Sequence, residues 1–460
     1  MDLGAHRASM SLKNEATRRL ASRACRYVLV VAALGEPTIA SAAECIFPNA
    51  EVVNGVVLRA GPTTGSAKRG KLMPGQSLPL VGTVPKWYET RTPSRQAAFA
   101  SRRWVFVGDC DQGPQPPPVP VAGGPSFTID VFDVGTGLSV LARGADFSLL
   151  YDAGSNDDFA TGLENRALAY LRLVAPGLST LNHIILSHPH KDHLELLPDV
   201  ISQFAVGDVW DSGSRGNLTC GYWSFLQAIV AKPSIRYHTV LNDGGSEPVA
   251  LGTADCPSAP IRSITIQHAE RIDSPPLTLG TGATMEFLHA DGTSYTSSQN
   301  PNKNSLVVRL NLGSRRVLFM GDAPGGEREA PSEPPASDSI EGKLLQCCAQ
   351  DLFADVLIVG HHGSMTSSRG TYIDAVGASI YAISSGPKKY GSVTLPDSVV
   401  VQALKLRGAV LETNTNDTQC KNASAKVGAD NDDKAGGCDA IRITIPSAGP
   451  IVAEYNRDTD

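Results

Sequence analysis

Leu181-Asn-His-Ile-Ile-Leu186 runs directly into Ser187-His188-Pro189-His190-Lys191-Asp192-His193, and this junction decides the reading of the chain. The first half is an apolar run of strand length, the pattern of a buried strand. The second half sets three imidazoles and a carboxylate within six residues, where the backbone turns toward a helix predicted over His193–Phe204. Imidazole nitrogen and carboxylate oxygen suit zinc and related transition metals, and two histidines one residue apart can share one ion while Asp192 and His193 bind a second. The plain alternative is a polar loop of solvated histidines. Three of the chain's ten histidines beside an Asp at a strand end argue against it.

Outward from this junction, residues from Ser126 onward read as strands interleaved with helices. Strands are predicted at Phe127–Phe132, Leu138–Ala142, Phe147–Tyr151, Val206–Trp210, Met285–Leu288, Ser305–Leu312, Arg316–Met320, Ala354–Val359 and Ser379–Ser384. Helices are predicted near Leu163–Leu173, Ser339–Leu345 and Ser398–Leu406. This order predicts an α/β class with two sheets and helices outside them. No Gly-x-Ser-x-Gly elbow accompanies the histidine cluster, so a covalent serine intermediate is not required.

His-x-His-x-Asp-His at the end of an apolar strand resembles the metallo-β-lactamase-fold hydrolase superfamily. Phe132-Asp-Val-Gly-Thr-Gly137, Leu150-Tyr-Asp-Ala-Gly154, Asn302-Lys-Asn-Ser-Leu306, Phe319-Met-Gly-Asp-Ala323 and Asp355-Val-Leu-Ile-Val-Gly-His-His-Gly-Ser364 follow in the order found in the soluble hydrolase domain of ComEC-type competence proteins. The resemblance implies an αββα sandwich over residues 126–460. It also implies two divalent ions, zinc or manganese, with His188 and His190 on the first, Asp192 and His193 on the second, and Asp322 bridging both. His361 is expected as a further ligand with His362 turned toward substrate, and Asp192 is expected to share the proton of the attacking water. Asp133 and Asp152 are expected to orient ligand histidines, turn capping being the other role open to Asp133. Asn304 falls in Asn302-Lys303-Asn304-Ser305, where many relatives supply a third histidine to the first ion. That departure argues against β-lactam hydrolysis. His289, at a strand end, is read as a packed or pocket-edge residue rather than a substitute ligand.

Forty basic and 46 acidic residues among 460 give a net charge of −6, which excludes the broad electropositive surface of a duplex nucleic-acid binder. The apolar run Tyr27–Leu34, preceded by Arg18, Arg19, Arg23 and Arg26 and followed by Ala40-Ser-Ala-Ala43, predicts a signal peptide over 1–43, hence a secreted or periplasmic protein with no membrane span after its removal. An uncleaved anchor is the alternative. Eight cysteines remain beyond that segment and suggest disulfides: Cys45 and Cys110 bracket one segment, and Cys220 with Cys256 and Cys420 with Cys438 are close enough to staple single loops. Cys347 and Cys348 are expected to bridge elsewhere or to stay a buried thiol pair. Residues 112–125, rich in Pro and Gly, read as a linker. Before it, 44–111 carries short alternating strands that predict a small all-β barrel. Gly55-Val-Val-Leu-Arg-Ala-Gly-Pro62, Trp87-Tyr88 and Trp104-Val105 resemble the bacterial Src-homology-3-type domain, which implies a cell-wall or peptide ligand.

The expected function is an exported dinuclear-metal hydrolase that uses a metal-bound hydroxide on phosphodiesters, either small molecules or a polymer such as single-stranded nucleic acid. A lactone, carboxyl-ester or amide hydrolase of the same fold is the alternative. A noncatalytic cell-wall binding protein is the second.

Overall fold

The structure, a computed structural model, describes residues 44–48, 52, 55–84, 86–102, 104–110, 126–157, 165–216, 218–252, 256–272, 276–414 and 439–455. The expected signal peptide (1–43), the linker (112–125) and the Cys420–Cys438 pairing lie outside the described residues.

From Phe127 onward the chain builds two mixed sheets. In spatial order the first comprises Arg236–His238, Ala205–Asp211, Thr180–Leu186, Ser148–Ala153, Ser139–Arg143, Phe127–Val131, Ile441–Ile445 and Val452–Tyr455. The second comprises Leu277–Gly280, Ala283–His289, Val307–Leu312, Arg315–Phe319, Val356–Ile358, Ile380–Ile383 and Ala409–Glu412. Each sheet is antiparallel in one half and parallel in the other. The parallel runs are Ser148–Ala153 through Arg236–His238 and Arg315–Phe319 through Ala409–Glu412.

Side chains alternate across a strand, and both faces of the central strands are buried. Ile185, Leu149, Tyr151, Ile129 and Val131 meet Met285, Val308, Leu310, Phe319 and Ile358 between the sheets. Ile184, Leu186 and Leu150 face the other way, onto Leu171, Val200 and Phe225 of the helices Arg166–Val174, Leu197–Gln203 and Cys220–Val230. Leu318, Leu357 and Tyr381 of the second sheet face Ile340, Leu344, Ile373 and Leu404 of Ile340–Cys348, Gly370–Val376 and Ser398–Lys405. The result is the αββα sandwich expected from the sequence. Double burial is also why these strands read as continuous apolar runs.

Residues 44–109 form a separate seven-stranded antiparallel sheet around Ile46, Val56, Leu58, Leu72, Leu78, Ala98, Ala100 and Val105. Trp87 is buried and Trp104 exposed. Cys45 bonds Cys110, which staples the first strand to the end of the last.

Two expectations need correction. The helix read over His193–Phe204 is broken into Lys191–Leu194 and Leu197–Gln203. Leu196 sends its N–H to Ala153 O at 2.9 Å, and Pro198 stands in the first turn of the second helix, where its missing N–H costs nothing. Cys347 and Cys348 bond neither elsewhere nor stay thiols: they are joined to each other. Cys220 pairs with Cys256.

Candidate metal centre

Open α/β sheets gather ligands beyond the carboxyl ends of their parallel strands, and every expected ligand leaves such an end. His188 and His190 follow Thr180–Leu186, Asp192 and His193 lie on the short helix after them, Asp322 follows Arg315–Phe319, and His361 and His362 follow Val356–Ile358. The two sheets are tied together at this rim. Across the sheets, Leu306 N–H donates to Ser187 O (3.0 Å) and Tyr151 Oη donates to Leu306 O (2.7 Å); within the second sheet's rim, Asp322 N–H donates to Ser305 Oγ (3.1 Å). His361 N–H in turn donates to Gly321 O at 2.9 Å.

The glycine motifs quoted above have a steric reason. A Cβ on Gly154 would stand 2.2 Å from His193 N, and one on Gly137 would stand 2.1 Å from Gly154 O. Both are backbone atoms, so the Asp192–His193 turn rests directly on these two glycines. The doublet is held in an unusual conformation: His361 and His362 have φ of 49° and 52° and precede Gly363 at 75°. Left-handed backbone costs a non-glycine residue roughly 1–2 kcal/mol, and such strain collects where side-chain direction matters. His362 is fixed by Nδ1–H donating to Ser384 O at 2.7 Å.

Two donor sets result. His188, His190 and Asp322 form one, and Asp192, His193 and His362 form the other; within each set the ligand atoms lie within 4.8 Å of one another. Asp322 links them. Its Oδ2 is 3.8 Å from His188 Nε2 and 3.5 Å from His361 Nε2, while its Oδ1 is 3.1 Å from His193 Nε2 and 3.6 Å from His362 Nε2. Asp192 Oδ2 is 3.7 Å from His362 Nε2. His193 Nε2, His362 Nε2 and Asp322 Oδ1 are buried without hydrogen-bond partners. Buried polar atoms are nearly always satisfied. Three converging nitrogen and oxygen atoms left unsatisfied, in an imidazole and carboxylate donor set, fit divalent cations.

Charge in the cluster is arranged accordingly. Burial pushes Asp322 toward its neutral form, but His193, His361 and His362 together outweigh it and hold its carboxyl well below the usual range. Burial likewise disfavours a charged His193, yet Asp322 and Asp152 raise it well above the ordinary histidine value. His188, His190 and His361 are lowered, chiefly by burial, and so present neutral imidazoles.

Around the ligands, Asp152 stands where an orienting carboxylate was expected. Its Oδ2 accepts from His193 Nδ1 (2.8 Å) and Ser187 Oγ (2.7 Å), and its Oδ1 from Ser187 N–H (2.6 Å). Asp133 does otherwise. It caps its own turn by accepting from Gly135 N–H at 3.1 Å and lies 3.5 Å from Arg166 Nη1. Asn304 spends its amide hydrogens on Asp291 O and Thr293 O (2.8 and 2.9 Å), bracing a loop. The amide that reaches the centre is Asn302, whose Nδ2 is 3.3 Å from His361 Nε2. The placement also reverses the expected division of the doublet. His362, nearly fully buried, joins the Asp192 and His193 set, whereas the half-buried His361 stands at the rim. His289 is occupied by Ser305 O at 3.0 Å, in keeping with a packed residue.

Sequence reading missed Asn156 and Tyr390, which both donate to Asp192 Oδ2, at 2.8 and 3.0 Å. Tyr390 comes from a two-stranded hairpin, Lys389–Tyr390 and Val393–Thr394. Its contact with Asp192 spans 198 residues of sequence, and no local pattern announces it. The centre opens into a cavity of about 810 Å³ whose wall includes His190, Asp192, Asp322, His361, His362, Tyr390 and Arg328.

A family model described as the metallo-beta-lactamase superfamily matches residues 132–248. That stretch holds His188, His190, Asp192 and His193; Asp322 and the doublet lie beyond it. The competence protein ComA of Neisseria gonorrhoeae is 27% identical over 258 residues, which are 56% of this chain and 27% of that protein, so the chain spans about a quarter of the relative's length. Among solved structures, the metallo-beta-lactamase fold protein YhfI from Bacillus subtilis is 15% identical, with 63% of this chain and 96% of that chain covered and a TM-score of 0.36. The metallo hydrolase Igni18 from Ignicoccus hospitalis is 8% identical, with 62% and 95% covered and a TM-score of 0.34. Residues 132–248, which hold the first four expected ligand positions, thus match a metallo-beta-lactamase superfamily domain.

Proposed function

We propose that this protein is a hydrolase dependent on two divalent cations, zinc or manganese, and that its substrates are phosphodiesters. The observation that carries the reading is the bridging position of Asp322, one oxygen toward each donor set. His188 and His190 would hold one ion, Asp192, His193 and His362 the other, and Asp322 both. Bound there, paired cations lower the pKa of water from about 15.7 toward ~7 and stabilise charge on displaced oxygens.

The chain's own residues supply positioning. Asp152 accepts a hydrogen bond from His193 Nδ1, which turns Nε2 toward the centre, where it would give up its proton on binding a cation. Asn156 and Tyr390 fix the rotamer of Asp192. His362 donates Nδ1–H to Ser384 O, which directs its Nε2 the same way. What supports phosphodiesters over carbonyl substrates is the resemblance of the quoted motifs to ComEC-type competence proteins, which implies cleavage of single-stranded DNA. Export, and a cell-wall or peptide ligand for the sheet of residues 44–109, belong to the same proposal. Among the described residues no helix is long and apolar enough to cross a membrane.

The test is release of p-nitrophenol from bis-p-nitrophenyl phosphate by protein loaded with zinc or manganese, beside a panel of lactones and carboxyl esters. Diester turnover that chelation abolishes is expected. Turnover of the carbonyl panel alone would replace this substrate class with the other.

A further inference from the structure

We propose that Arg328 and Ser364 form an anion subsite beside the cation centre, which takes a second, non-scissile phosphate of a substrate already held there by the first. The inference rests on the phosphodiester reading and names the kind of diester: one with a further phosphate adjoining the scissile one, as in an oligonucleotide.

The argument follows a hydrogen-bond chain outward from the centre. His361 Nε2 faces Asp322 Oδ2 at 3.5 Å, and its Nδ1 lies 2.6 Å from Thr366 Oγ1. For a neutral His361 with its Nε2 lone pair toward the centre, Nδ1–H donates to Thr366. Thr366 Oγ1–H then donates to Ser364 Oγ at 3.0 Å. Ser364 Oγ also accepts from Thr366 N–H (3.3 Å) and from Arg328 Nη1 (3.2 Å). Three donors lie within reach of this one oxygen and fill its two lone pairs, while its own hydrogen has no acceptor among the described residues. Ser364 is 2% exposed and lines the cavity. A buried hydroxyl hydrogen without an acceptor calls for an incoming one.

Arg328 supplies the charge. Its Nη2 donates to Asp397 Oδ1 at 2.7 Å, which fixes the guanidinium, and the side chain remains 40% exposed on the cavity wall. Asp397 also accepts from Met365 N–H (2.8 Å), so the same carboxylate holds both the arginine and the turn that bears Ser364. A planar guanidinium with free N–H groups beside a hydroxyl donor matches the oxygens of a phosphate. The subsite and the cation centre share one cavity wall, so a single extended substrate reaches both.

The experiment compares the p-nitrophenyl ester of thymidine 5′-phosphate with the same ester carrying a 3′-phosphate, using the metal-loaded full chain and Arg328→Gln, which keeps a donor for Ser364 and removes the charge. In parallel, binding of thymidine 3′,5′-bisphosphate and thymidine 5′-monophosphate is measured by calorimetry. The native protein is expected to favour the 3′-phosphorylated ester at least tenfold in kcat/KM and the bisphosphate tenfold in affinity, with both ratios falling to about one in Arg328→Gln. Ratios near one in the native protein, or ratios that survive the substitution, overturn the subsite while leaving diester hydrolysis intact. Arginine-dependent preference for the bisphosphate without turnover of either ester overturns the diester reading and supports the subsite. Ser364→Ala gives the second check: the same ratios should fall with the hydroxyl removed and the charge kept.

Discussion

Asp152 has φ of 57° and is fully buried, and burial raises its carboxyl against the opposing pull of His193. Its three accepted hydrogen bonds offset that cost only while His193 and Ser187 stay in place. Asp152→Asn should therefore lower cation affinity about 10–100-fold, as loss of a carboxylate behind a ligand histidine does. The check is a competitive zinc titration, with circular dichroism to verify folding. Asp322→Asn should be more severe, since it weakens both donor sets at once, and metal analysis should find less than one tightly held ion per chain. Much of the centre was legible at this scale, because His188, His190, Asp192 and His193 fall within six residues of one strand end. Sequence does not tell Asn302 from Asn304, because both stand in one short 3₁₀ turn and which amide faces the centre is set by how that turn packs. Asn156 and Tyr390 carry no local signal, since what makes them functional is a meeting across 234 residues.

The turns that carry the ligands are shaped by packing as much as by their own residues. Gly154→Ala would drive a Cβ into the backbone at His193, and overpacking of this kind costs about 1–3 kcal/mol. The expected outcome is a lowered thermal midpoint together with weakened cation uptake, and a normal midpoint with normal uptake would refute the contact. The disulfide between Cys220 and Cys256 closes 36 residues at the start of the helix Cys220–Val230. Replacing both cysteines by Ala should cost roughly 2–4 kcal/mol, read from chemical denaturation without reductant. Glu341 opens the helix Ile340–Cys348 fully buried, and burial raises its carboxyl to about 7, despite hydrogen bonds from Arg369 N–H, Ser368 N–H and Ser367 Oγ. The folded state therefore binds this proton more tightly than the unfolded one, and stability declines as pH rises from 4.5 to about 7. Glu341→Gln cannot ionise, so its thermal midpoint relative to the native protein should rise between pH 5 and pH 8. An offset independent of pH would show that Glu341 does not titrate in this range. Elements with both faces buried, such as Thr180–Leu186, were read from sequence to within a residue. The helix Cys220–Val230 was not read, although its buried Tyr222, Phe225, Leu226 and Ile229 repeat at helical spacing: its exposed face carries no charged residue, so the apolar stripe stands out little from the rest of the segment.

At the scale of the whole molecule, two half-parallel sheets bring three ligand-bearing strand ends to one rim, and Leu306 and Tyr151 hold the rims in register. Sequence order could announce two sheets with helices outside but not this closure, which joins Ser187 to a loop more than a hundred residues later. A net charge of −6 leaves attraction of an anionic substrate to the centre and the wall beside it. In the proposed centre one carboxylate, Asp322, couples two cation positions. The most direct test of this coupling is stepwise addition of zinc or manganese to chelator-treated protein while bis-p-nitrophenyl phosphate hydrolysis and bound metal are followed together. Uptake of two ions per native chain is expected, with turnover that develops with the second and loss of both in Asp322→Asn. A native chain that takes up no ion, or an Asp322→Asn variant that binds two and turns over at the native rate, would contradict it.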